Sequence, residues 1–138
     1  ISIFEIREVL EGLSARRAAA STTEEEKNVL QNIFSSFSNN TAIKDIQAYS
    51  KADRKFHTYI AHISSREFLS SILQTLNIVS LAYQYPNHEG LIREPDKTIV
   101  DHIAIVEAIC SHDSVAAEHL MREHLRKAIT ELQSTITR

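Results

Sequence analysis

Asp53, His57, His102 and His124 are the side chains of this sequence whose types and spacing best suit chemistry. In the string Ala52-Asp53-Arg54-Lys55-Phe56-His57 the carboxylate and the imidazole are four residues apart. On a helix they project from one face, a turn apart, and form a two-ligand half-site. His102 and His124 lie at similar distances on either side of Ser111-His112-Asp113-Ser114. If that string is the turn of an antiparallel helical hairpin, the two imidazoles reach similar height and form the other half-site. Three imidazoles and one carboxylate suit a borderline divalent transition metal, with zinc and nickel favoured by the nitrogen content and manganese or cobalt also within range. A five- or six-coordinate ion would keep positions open for a small ligand. Seven histidines in 138 residues will produce some pair at this spacing by chance. The spacing therefore leaves two readings open: metal ligands, or histidines satisfied in a core or at the surface.

The elements that must position these residues read as helices throughout. The first runs from about Ile3 to Ala20, with Ile6, Val9, Leu10, Leu13 and Ala20 inward and Glu5, Glu8, Glu11 and Arg16 outward. Ser21-Thr22-Thr23-Glu24-Glu25-Glu26 is a start signal, because Thr23 can cap the next helix while Glu26 reaches back to it. That second helix carries Val29, Leu30, Ile33, Phe34 and Phe37 and stops at Asn39-Asn40. The third, from about Ile43 to Ser64, carries Ile46, Tyr49, Phe56, Ile60 and Ile63 together with Asp53 and His57. The fourth carries Phe68, Leu69, Ile72, Leu73, Leu76, Val79 and Leu81, and Pro86 to Gly90 mark the main loop after it. Pro95 and Asp96 introduce a hairpin, with Ile99, Ile103, Val106 and Ile109 inward on one arm. Val115, Leu120, Leu125, Ile129 and Leu132 are inward on the other. The expectation is an all-α, antiparallel bundle of about six helices, a single domain over residues 1–138 with the metal site in its centre.

Composition agrees and narrows the function classes. Two Gly and two Pro against a 43% hydrophobic fraction is helical usage, and 138 residues are enough to build a real core. One cysteine, Cys110, excludes an internal disulfide and fits a reducing cytoplasm. A net charge of −3 speaks against nucleic acid on this segment's own surface. No long apolar span or signal peptide is present, so neither membrane insertion nor export is expected. The opening at Ile1, almost directly into helix, reads like part of something longer.

Other polar positions are less specific. Asn77 and Ser80 interrupt an apolar fourth helix and face either a central cavity or solvent. Tyr83 and Tyr85 close a pocket mouth or pack a helix end, and His62, His88, His112 and His119 read as surface or outer histidines. A histidine-held metal with open positions could also serve a hydrolase or an oxygenase-like enzyme. Against that, Glu107 faces away from the expected metal face and no Ser/His/Asp or Cys/His set stands out, so no catalytic residue is assigned. A metal-free structural interaction bundle is the third class.

Three strings carry a resemblance: Ala52 to Ile60 (ADRKFHTYI), Asp101 to Ile109 (DHIAIVEAI) and Ala116 to Leu125 (AAEHLMREHL). Together with the opening Phe4 to Glu11 (FEIREVLE), they resemble the ligand-sensing C-terminal FCD domain of the FadR branch of GntR-type bacterial transcription regulators, over nearly the whole chain. The resemblance implies that Asp53, His57, His102 and His124 hold a divalent metal inside the bundle. It also implies that metal and nearby polar groups receive a small organic carboxylate effector. Arg7 matches a family position near the cavity and is either a bidentate partner for that effector or a surface or dimer-contact arginine. The resemblance further implies a homodimer, and DNA binding only through an N-terminal winged helix-turn-helix that these residues do not contain. Two departures from the family pattern fall at helix ends: Ser64-Ser65-Arg66-Glu67 after the metal-site helix, and His112-Asp113 where Gly-Asp is common.

Overall fold

The computed structural model describes residues 2–37, 42–64, 68–81 and 93–136, without the side chains of 68, 70, 77–81, 135 and 136. Among these residues the structure is all-α, with six helices: α1 (Ser2–Ser21), α2 (Glu24–Ile33), α3 (Ile46–Ser64), α4 (Phe68–Leu81), α5 (Pro95–Cys110) and α6 (Ser114–Ile136). A short 3₁₀ turn, Ser35–Phe37, follows α2, so Phe34 and Phe37 lie beyond that helix and not on it. Tyr83, Tyr85, His88 and the Ser65-Arg66-Glu67 departure lie outside the described residues.

Local chemistry sets the helix ends. At α2, the Thr23 side chain accepts from Glu26 N–H and the Glu26 carboxylate accepts from Thr23 N–H, the reciprocal box that the sequence predicts. Pro95 opens α5, where its missing N–H costs nothing. The α5–α6 turn is a Schellman closure: Asp113 N–H bonds Ala108 C=O and His112 N–H bonds Ile109 C=O. His112 itself sits in the left-handed region at φ 57°, a conformation that glycine adopts without a steric penalty. Its Nδ1 donates to the Ala19 carbonyl at 2.8 Å and so ties the turn to α1. Asp113 then caps α6 by accepting from Ala116 N–H.

This tight turn folds α6 back along α5. On the other side α6 packs antiparallel to α1, as Arg126 and Arg122 on Glu8 and Glu118 on Arg16 show. Helix α3 packs against α1 and α4, and α2 covers α3 and α5. The main core contains Leu30, Phe34, Tyr49, Phe56, Ile60, Ile105, Ile109, Met121 and Leu125. A smaller cluster of Ala61, Leu69 and Leu73 joins α3 to α4.

Helix α1 overturns the inward face expected for it. Ile6 and Val9 are half exposed, at 50% and 52%, and Ala20 is exposed, whereas Glu11 is 3% exposed. Its buried face is made of Phe4, Glu11, Gly12, Ser14, Ala15, Ala18 and Ala19. From Gly12 onward the small residues let the α1 backbone approach its neighbours closely, and the helix turns that face inward in preference to Ile6 and Val9. Ile103 and Val115, also expected inward, are exposed at 38% and 69%.

Candidate metal centre

Helices α3, α5 and α6 deliver the four expected ligands to one place. Asp53 and His57 come from α3, His102 from α5 and His124 from α6. One ligand atom of each lies within 4.8 Å of the others. His102 is fully buried, His57 and His124 nearly so, and the Asp53 side chain keeps 24% of its exposure, which makes it the edge of the site nearest solvent.

The outer nitrogen of every imidazole is engaged. His57 Nδ1 donates to Glu11 on α1, and His124 Nδ1 donates to Asp101 Oδ2 at 3.1 Å. His102 Nδ1 is 2.9 Å from the Tyr49 hydroxyl, which is 2.7 Å from Thr98 Oγ1, and Thr98 donates to the Pro95 carbonyl at 3.4 Å. A carbonyl can only accept, so the donors run outward from His102 Nδ1–H through Tyr49 and Thr98 to Pro95. All three Nε2 atoms are thereby turned inward.

There they crowd one another. His102 Nε2 lies 3.2 Å from His124 Nε2 and 3.1 Å from Asp53 Oδ1, and His57 Nε2 is 3.5 Å from the same oxygen. With their protons on Nδ1, neutral His102 and His124 turn two lone pairs toward each other, an arrangement that a cation between them relieves. The donor set and its convergence fit a divalent transition metal.

Electrostatics prepare the groups for that role. Burial pushes His102 down to about 4 and His124 below its ordinary value, so both are neutral at pH 7. Burial works against charge on His57 too, but the Glu11 and Asp53 carboxylates outweigh it and raise it to about 9. A metal ion held there would take the place of that proton. Burial opposes ionisation of Asp53, yet its close contacts with the His102 and His57 imidazoles hold it well below the carboxylate range. Glu11 is likewise buried, and Arg7 and His57 hold it down to about 2. Around the histidines, then, stands an outer layer of Glu11 with Arg7, and of Asp101 with Arg93 and Lys127.

Reasoning from sequence missed this outer layer. Glu11 reads as solvent-facing, Tyr49 only as one of the apolar positions of its helix, and Asp101, Arg93 and Lys127 carry no role in that reading. The available signals were slight: Arg7 and Glu11 at i, i+4 spacing, and Asp101 beside His102. Of the expected effector contacts, Arg7 donates through Nε to Glu11 Oε2 at 2.8 Å and lies over the Phe4 ring. Asn77 and Ser80 fall on α4, and their side chains lie outside the described residues. His62 and His119 are exposed and stand apart from the cluster, as does His112.

Comparison with known proteins gives this geometry a family. The sequence profile of the FCD domain matches residues 2–127. The chain is similar to an uncharacterized HTH-type transcriptional regulator, YcbG, of Bacillus subtilis (strain 168), at 31% identity over 127 residues. That match covers 91% of this chain and 51% of the relative, so the chain spans about half the relative's length. On the strength of the profile match over nearly its whole length, the chain belongs to the FCD domain family.

Proposed function

We propose that this chain is the effector-sensing domain of a bacterial transcription regulator. In this reading Asp53, His57, His102 and His124 hold a divalent metal, zinc or nickel before manganese or cobalt, and the loaded site receives a small organic carboxylate. The observation that carries it is the convergence of one ligand atom each from Asp53, His57, His102 and His124 within 4.8 Å, inside a chain of the FCD family. Bound there, the metal supplies positive charge and open coordination positions for a carboxylate oxygen. Arg7, Asn77 and Ser80 are the groups we assign to the effector's other end.

The regulatory part of the reading rests on the relative, whose name describes an HTH-type transcriptional regulator and of which this chain covers about half. An N-terminal winged helix-turn-helix supplies the DNA contact in the cytoplasm, and a homodimer presents two such readers to a two-fold operator. Effector binding shifts the population between two arrangements of the bundle to the extent that it binds them unequally. None of the described helices is long and apolar enough to cross a membrane.

The test begins with elemental mass spectrometry of untagged protein, natural and His124→Ala. Near-stoichiometric metal that falls sharply in the variant is expected. A panel of small carboxylates should then raise the melting temperature of the loaded natural protein and leave loaded His57→Ala unmoved. Absence of metal from both proteins after reconstitution, or equal carboxylate stabilisation of both, would sink the reading.

A further inference from the structure

The four metal-site ligands come from α3, α5 and α6, and none from α1. Yet α1 reaches the site through one side chain. Glu11 is 3% exposed, and its two carboxylate oxygens are divided between two partners: Oε1 accepts from His57 Nδ1, and Oε2 accepts from Arg7 Nε at 2.8 Å. Arg7 is itself held against the Phe4 ring, 5.1 Å from its centroid. One turn of α1 therefore contains a buried carboxylate aimed at a metal-site imidazole and a cation that fixes the carboxylate from behind.

We infer that Arg7 and Glu11 form a positioning pair that commits His57 to metal ligation through Nε2 and couples the seat of α1 to occupancy of the site. The inference rests on the metal reading above and extends it to residues that do not touch the metal. The chemistry is that of an outer carboxylate on a metal-bound imidazole. It fixes the tautomer, orients the ring and makes the inward nitrogen a better donor. His124 has the equivalent partner in Asp101 from the neighbouring helix α5, and His102 has the Tyr49 hydroxyl from α3. Only His57 receives its outer partner from α1. Linkage then requires reciprocity: if Glu11 strengthens metal binding, metal binding strengthens the hold on α1 by the same factor.

The proposal is tested with Zn²⁺ alone, by competition against a chromophoric chelator, so no effector enters. Glu11→Gln keeps the shape and loses the charge, and a loss of about 10- to 100-fold in zinc affinity is expected. Arg7→Met should weaken binding in the same direction, and the double variant should be no worse than Glu11→Gln. Hydrogen exchange read in the same proteins should show zinc protecting the α1 amides of the natural chain and failing to do so in Glu11→Gln. Zinc affinity within threefold of natural in both single variants, or α1 protection by zinc that survives Glu11→Gln, would overturn the pair. Should Glu11→Gln fail to fold, the natural chain loaded with ¹¹³Cd²⁺ decides: coupling from cadmium to His57 Nε2 supports the inference, and coupling to Nδ1 overturns it. A natural chain that binds no zinc would instead remove the metal reading beneath it.

Discussion

Phe34 lies flat against His102, with ring centroids 4.7 Å apart and planes inclined by 13°. Phe34 stands just beyond the end of α2, packs also on Phe56 and Tyr49, and is 4% exposed. It is the apolar wall that sets the plane of one imidazole and keeps water from it. Removing the ring should therefore both open a cavity and loosen His102. Phe34→Ala is expected to lower the unfolding free energy of metal-free protein by about 3–5 kcal/mol. Urea denaturation after chelation measures this, and a loss under about 1 kcal/mol would show that Phe34 is not the wall described.

The Tyr49 hydroxyl is the link between His102 Nδ1 and Thr98. Tyr49→Phe keeps the ring but leaves a buried imidazole N–H and a buried threonine hydroxyl each short of a partner. A stability loss of about 1–3 kcal/mol is expected, together with a fall of about tenfold or more in zinc affinity as His102 loses its fixed tautomer. Denaturation and chelator competition read the two effects separately. Unchanged zinc affinity would show that the His102 ring is set by packing alone.

A Cβ added at Gly12 would lie 2.5 Å from Arg122 Cγ and 3.0 Å from its Cδ. These atoms are near the root of the side chain, so Arg122 would have to leave its rotamer and its 3.2 Å bond to Glu8. Alanine gains about 1 kcal/mol of helix propensity over glycine, while overpacking costs about 1–3 kcal/mol. The clash should win, and Gly12→Ala is expected to be less stable by about 1 kcal/mol. Adding Arg122→Ala removes the obstruction, so the double variant should melt above Gly12→Ala. A Gly12→Ala single variant that melts above natural protein would refute the close approach of α1 and α6.

His112 holds a left-handed backbone at φ 57° and donates to Ala19 C=O. His112→Gly relieves the strain but gives up the bond, two terms of about 1 kcal/mol each that nearly cancel. His112→Ala keeps the strain and loses the bond, and should be about 1 kcal/mol less stable than natural protein. The expected order of melting temperatures is natural and Gly together, with Ala below. Equal melting of Ala and Gly variants would remove the backbone argument.

Much of the architecture was legible in the residues. The capping box at Thr23 and Glu26, the breaker at Pro95 and the Ser111-to-Ser114 turn all form through neighbours in sequence. The i, i+4 pair Asp53 and His57 needs only a helix to share a face. His102 and His124 needed one inference more, a tight hairpin, which the Schellman turn supplies. Legibility failed on α1, whose hydrophobic pattern pointed Ile6 and Val9 inward when the helix in fact buries Gly12, Ala15 and Ala18. Periodicity weighs side chains by apolarity, whereas the close approach of α1 around Gly12 selects them there by size.

The sequence by itself determined that the chain is helical, where most helices begin and end, and which four side chains could meet as ligands, because helix geometry and short turns are local properties. Only the tertiary structure decided which nitrogen of each imidazole faces inward, and that Glu11, Asp101 and Tyr49 stand behind them. A buried carboxylate such as Glu11 is stable only against partners 46 residues away in the chain and one helical turn back, His57 and Arg7. The i, i+4 spacing offers Arg7, but nothing among the sequence neighbours of Glu11 encodes His57, a partner that exists once α1 has packed against α3.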